Sequence, residues 1–105
     1  MRRLPVQMTA EALQDLAEIR AHYREVAGPA VSARVVGRIR KTLTHIGRMP
    51  KTGNLRPEMG EEVRMHVSGS YVIYVEVGPR RVDVLRILHA ARDRDAIMKA
   101  RPTDP

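Results

Sequence analysis

The chain has 105 residues, with no Cys, no Trp, no Phe and three Tyr, which allows one aliphatic core and excludes disulfides and thiolate metal sites. Nineteen basic residues against 12 acidic ones give a net charge of +7, and sixteen of the 19 are Arg. Arg pairs with carboxylate or phosphate through a planar fork of donors, so the expected partners are an acidic protein or a nucleic acid.

No apolar run approaches the roughly 18 residues of a membrane span. The N-terminal Met1-Arg2-Arg3-Leu4-Pro5-Val6 lacks the apolar segment of a secretory signal. The sequence therefore reads as a cytoplasmic protein of one domain, 1–105, with 101–105 a frayed tail.

Leu4 to Met8 reads as a short first strand, with Pro5 marking an edge or a strand start. Thr9 is a good helix N-cap, and Glu11 sits in the first turn where the helix dipole favours it. Ala12, Leu16, Ile19, Tyr23 and Val26 then form one apolar helical face. Gly28 and Pro29 end that helix. A second helix runs from Pro29 to about Arg48, with Val36, Ile39, Leu43 and Ile46 on its apolar face. The opposite face is a stripe of Arg34, Arg38, Lys41, His45 and Arg48. So short a connection implies an antiparallel helical hairpin.

Residues 49–61 hold Pro50, Gly53, Pro57 and Gly60 and read as a loop without regular structure. From Glu62 to Val67 the sequence alternates, with Val63, Met65 and Val67 opposite Glu62, Arg64 and His66, the pattern of a half-buried strand. Ser68-Gly69-Ser70 is a hairpin turn. Tyr71 to Val77 is almost continuously apolar, as in a central strand covered on both faces. Gly78-Pro79-Arg80-Arg81 turns the chain again, and Val82 to His89 is the last strand. Asp93 is positioned to cap a short final helix, Arg94 to Ala100. The fold class is α+β, in the order β-α-α-β-β-β(-α), with a helical hairpin on one face of a small, mainly antiparallel sheet. The second sheet face is only partly covered and open to a partner.

Candidate chemistry is sparse. His22, His45, His66 and His89 are each more than 20 residues apart, so no metal site is expected. There is no phosphate-binding glycine loop, no cofactor motif and no nucleophile elbow around Ser32, Ser68 or Ser70. The basic helical stripe fits either a solvated outer face or a nucleic-acid contact. No aromatic residue is interleaved with it for base stacking. Arg86 must be ion-paired or exposed to a partner, because a buried unpaired guanidinium is costly. Asp93, Glu62 and Asp83 are the carboxylates that strand topology places nearest.

Several short segments then fall in a recognisable register. These are Ala12, Asp15, Leu16, Ile19 and Tyr23, then Met49-Pro50 with Gly53, then Val63-Arg64 and Gly69-Ser70-Tyr71. The series ends with Val84-Leu85-Arg86-Ile87-Leu88-His89-Ala90-Ala91-Arg92-Asp93. In this order the chain resembles the ParE branch of the ParE/RelE toxin superfamily of bacterial toxin–antitoxin pairs, over roughly Val6 to Asp93. The resemblance implies a toxin that is not an enzyme, inhibits DNA gyrase, arrests growth and is neutralised by an acidic antitoxin whose disordered segment folds on it. It implies no cofactor, no membrane and no direct sequence-specific nucleic-acid contact.

The RelE branch, a ribosome-dependent mRNA endoribonuclease, is the alternative, with Arg64, Arg86 and His89 as cations and acid. Against it, Ala90 and Ala91 follow His89, no Tyr follows Tyr74, and Lys51 is the lone Lys of the loop. No catalytic residue is therefore assigned. A toxin without activity that serves only in operon control is a third reading. The expected partner-binding residues, for antitoxin or gyrase, are Arg64, Arg86, His89, Arg92 and Arg94.

Overall fold

A computed structural model of the protein describes residues 3–93. The expected final helix, Arg94 and the expected tail lie outside the described residues. The elements are β1 (Val6–Met8), α1 (Ala10–Ala27), α2 (Pro29–Arg48), β2 (Asn54–Leu55), β3 (Val63–Ser68), β4 (Tyr71–Val77) and β5 (Val82–His89). The strands form one five-stranded sheet in the order β1-β5-β4-β3-β2. β1 runs parallel to β5, and the other pairs are antiparallel. The architecture is the expected α+β arrangement.

Local chemistry explains the hairpin. The Thr9 side chain accepts from the Ala12 amide at 3.1 Å and caps α1. Gly28, at φ +91°, ends α1 and serves as the cap of α2, with Pro29 at the first helical position. The chain therefore reverses with no intervening loop. The buried Ser32 hydroxyl donates to the Arg20 carbonyl at 2.8 Å and ties the helices across the hairpin.

The main core lies between hairpin and sheet. Ala12, Leu16 and Ile19 of α1 and Val36, Ile39, Leu43 and Ile46 of α2 pack on Ile73, Val75, Val77, Val82, Val84 and Ile87. β4 is the middle strand, with every residue but Glu76 buried, as its apolar run predicts. On the opposite face Val72, Tyr74 and Leu88 form a smaller buried cluster, packed by Met59, Met65 and Leu85.

Val26, expected on the apolar face of α1, is 62% exposed near the helix end, and three features of the sheet differ from the sequence reading. First, the 49–61 segment contains the edge strand β2, pairing Asn54 with Met65 and Leu55 with Arg64. Two exposed residues bonded through their backbone need no hydropathy pattern, so none was visible. Second, β3 does not turn its alternating apolar side to the main core. His66 and Ser68 are buried on the helix side, while Val67 is 65% exposed. The polar flank of α2 lies there, and the Thr42 hydroxyl bonds Ser68 Oγ at 2.9 Å. Third, β5 carries a bulge. Tyr74 opposes Arg86 and Val75 opposes Val84, leaving Leu85 as the extra residue. This irregularity lets Val84 and Ile87, three apart, both face the core, which strict alternation forbids.

Candidate partner-binding site

The bulge builds the site. Thr9 binds it on one side, its amide donating to the Val84 carbonyl at 3.0 Å and its hydroxyl to the Leu85 carbonyl at 3.1 Å. Next along the strand, the Arg86 guanidinium reaches Asp15 of α1. Nε donates to Asp15 Oδ2 at 2.8 Å and Nη2 to Oδ1 at 3.0 Å, a bidentate pair. The Ile87 amide adds a third bond to Oδ2 at 2.9 Å. Asp15 sits on the buried face of α1 with Ala12, Leu16 and Ile19, and these three donors hold its carboxylate there. The Asp15 hydrogen bonds raise the Arg86 pKa against the opposing effect of burial.

The partner of Arg86 is thus none of the three carboxylates expected. Asp83 pairs with Arg81 at 3.0 Å, Asp93 accepts from the His89 amide at 2.7 Å, and Glu62 is exposed. Strand topology considers only neighbours within the sheet, whereas the bulge hands Arg86 to a helix 71 positions away in sequence. Asp15 belonged to the family-like register but carried no sign of pairing with Arg86.

Beyond His89 the chain leaves the sheet in a tight turn. His89 Nδ1 accepts from the Ala91 amide at 3.2 Å and the Arg92 amide at 2.9 Å. With Nδ1 acting as acceptor, a neutral ring carries its proton on Nε2. The ring packs edge-on against Tyr71 at a centroid distance of 5.3 Å. The Tyr71 hydroxyl lies 3.4 Å from that of Tyr23. Burial first, and Tyr23 second, push the Tyr71 pKa up to about 12, so it is a neutral phenol at neutral pH. Between α1 and this turn lies a groove of about 320 Å³, with Asp15, Glu18 and His22 on one wall and Arg86, Arg92 and Asp93 on the other.

Of the predicted partner-binding residues, the structure brings Arg86, His89 and Arg92 to this one end of β5. Arg92 is exposed, His89 is half-buried, and Arg86 is engaged by Asp15. Arg64 is not part of this group. It lies on β3, across β4, with its Nη1 3.5 Å from the Gly53 carbonyl. Arg94 lies outside the described residues.

Sequence reasoning missed two residues, Asp15 as an anchor and His66 as a buried group. His66 is 7% exposed, and among the described residues its Nε2 has no hydrogen-bond partner. Its ring packs on Gly53, where a Cβ would come within 2.7 Å. Burial, then the charges of His45 and Arg64, lower its pKa. A His in an alternating strand reads as a surface residue, so nothing in the sequence announced this.

Among the described residues no three His, Cys, Asp or Glu side chains stand together as a metal-binding group. No described helix is long and apolar enough to cross a membrane.

Comparison with known proteins follows the same lines. A family model described as the ParE toxin of the type II toxin–antitoxin system, parDE, matches residues 6–94. No curated protein matches. Among solved structures, the chain is similar to one described as the chromosomal ParDE TA system from P. aeruginosa. The TM-score is 0.71 at 22% identity, over 83% of this chain and 96% of that one. At that identity the likeness speaks for the fold alone.

Proposed function

Because the chain belongs to the ParE toxins of type II toxin–antitoxin systems, we propose that it acts in the cytoplasm as a non-enzymatic inhibitor of DNA gyrase, neutralised by an acidic antitoxin. The observation that carries this reading is how the polar groups at the end of β5 are used. Arg86 is held by Asp15, His89 Nδ1 is occupied by two backbone amides, and Tyr71 is a high-pKa phenol against Tyr23. General acid–base cleavage of RNA needs a base and an acid in reach of one phosphate. Here the groups are engaged in holding the turn, and the exposed Arg92 beside them suits binding. His89, Arg92 and Arg94 are the proposed target contacts, with Arg64 on the separate β3 surface. Arg86 supports them by fixing the strand end.

An acidic antitoxin suits a chain of net charge +7, which speeds its encounter electrostatically. Its apolar anchors would find the exposed Leu13 and Val26 on α1.

The test pairs two assays on the purified chain. Inhibition of gyrase supercoiling with no cleavage of ribosome-bound mRNA is the expected result. Codon-specific mRNA cuts that vanish in His89→Ala would move the chain to the endoribonuclease reading. Inactivity in both assays, with operator repression intact, would leave operon control alone.

A further inference from the structure

α2 carries Arg34, Arg38, Arg40, Lys41 and Arg48 along its 20 residues, and no Asp or Glu. These five and His45 are all exposed. The three ion pairs among the described residues involve none of them. Arg34, Arg38, Lys41, His45 and Arg48 follow one another at steps of 4, 3, 4 and 3. At about 100° per residue they lie within about 40° of one line along the helix. Val36, Ile39, Leu43 and Ile46 are buried on the diametrically opposite side. The row therefore lies on the exposed side of α2, with Arg38 passing near Gly69 at the β3–β4 turn, and is about 21 Å long at about 1.5 Å per residue.

A merely solvated helix face usually mixes the two signs, because like charges three and four residues apart destabilise the helix. α1 shows that mixture, with exposed Glu11, Glu18 and Glu25 beside Arg20 and Arg24. A single-signed row carries a helix cost that a bound polyanion would relieve.

The nature of the polyanion follows from what the row lacks. A peptide that folds on a helix needs apolar anchors. Among the described residues the large exposed apolar ones are Leu13, Val26, Met49, Leu55 and Val67, and none lies within the row. Stacking of single-stranded bases needs aromatic side chains, and α2 has none. A regular line of cations without anchors or stacking platforms matches a regular line of phosphates. The major groove of B-form DNA, about 12 Å wide, admits a helix, whereas the deep and narrow one of A-form RNA does not.

We propose that the row Arg34-Arg38-Lys41-His45-Arg48 binds the phosphate backbone of duplex DNA, independently of base sequence. Phosphate contacts position a protein without reading sequence, so the surface would hold the toxin on DNA wherever its protein target acts. The proposal does not depend on the gyrase reading and is tested with neither gyrase nor antitoxin present.

The experiment is fluorescence anisotropy of a labelled 30-base-pair duplex titrated with the full chain between 50 and 200 mM salt. Neutralising about four phosphates predicts a slope of log K against log salt near −3.6, or about a 100-fold loss of affinity over that range. Replacing three of the row, Arg38→Gln, Lys41→Gln and Arg48→Gln together, should flatten the slope to about −1. A control with the same charge change off the row, Arg20→Gln, Arg24→Gln and Arg80→Gln, should leave it near −3.6. All six positions are exposed, and circular dichroism verifies that both variants fold.

Equal flattening in the control would overturn the proposal, since binding would then follow net charge alone. So would absence of duplex binding at 50 mM salt, or tighter binding of duplex RNA or single-stranded DNA. A row variant that keeps duplex binding but loses polyglutamate binding would assign the surface to an acidic protein instead.

Discussion

The two helices of the hairpin bury similar apolar faces but use charge in opposite ways. α1 points one carboxylate inward, where Asp15 takes three hydrogen bonds from Arg86 and Ile87. α2 points all its cations outward and pairs none of them among the described residues. The buried charge of α1 is thus part of the fold, and the exposed charge of α2 is free for a partner. A buried ion with its partners removed is expensive, while an exposed ion contributes little to stability. The same residue type, Arg, is structural in one place and available for recognition in the other.

The sharpest way to break this comparison is Asp15→Ala. It strands the Arg86 guanidinium and the Ile87 amide, and should cost about 3 kcal/mol or more. For a domain of this size that lowers Tm by roughly 12 °C or more. A loss under about 1 kcal/mol in thermal or urea unfolding would show that the pair is incidental. Arg86→Lys should recover only part of the stability, because an ammonium cannot make the bidentate contact. A double-mutant cycle between positions 15 and 86 measures the coupling directly.

Ser32→Ala removes the tie between the helices and should cost about 1 kcal/mol, read as a shift of the urea midpoint at constant slope.

His66 supplies a pH test. Its folded pKa lies below the ordinary 6.5 because burial and the nearby His45 and Arg64 disfavour the proton. The unfolded chain therefore takes up the proton first as pH falls. The stability held by neutral His66 is complete above about pH 6.5 and is lost progressively as pH drops from there through the folded pKa. Melting curves should show a steeper decline below about pH 6.5 in the parent than in His66→Gln. Parallel declines would assign the acid sensitivity to other groups.

At the small end, each Gln substitution in the α2 row should move stability by no more than about 0.5 kcal/mol. A larger loss at Arg38, whose side chain passes near Gly69 at the β3–β4 turn, would make that cation structural too.

The architecture was legible because it rests on periodicity and on breakers. The 4-3-4-3 spacings in both helices, the Gly28-Pro29 reversal and the apolar run of β4 each report a local rule with one dominant outcome. What was hidden depends on contacts between distant segments. The bulge at Leu85 leaves no composition signal, and it alone directs Arg86 to Asp15 rather than to a sheet neighbour. The burial of His66 and Ser68 follows from where the polar flank of α2 comes to rest, which no alternation within β3 records. The candidate site was therefore seen as a set of residues, of which Arg86, His89 and Arg92 lie together at one strand end and Arg64 does not. Their division of labour, Arg86 ion-paired and Arg92 presented outward, was one of two readings the sequence left open, and Asp15 as the carboxylate that holds Arg86 was not visible.

That division is tested most directly by gyrase supercoiling measured alongside melting temperature for two variants, Arg92→Ala and Arg86→Ala. The expected result is that Arg92→Ala keeps the parent Tm but inhibits supercoiling poorly, while Arg86→Ala loses thermal stability and inhibition together. An Arg86→Ala protein with the full parent Tm and no inhibition would contradict it, placing Arg86 at the target contact rather than in the frame that supports it.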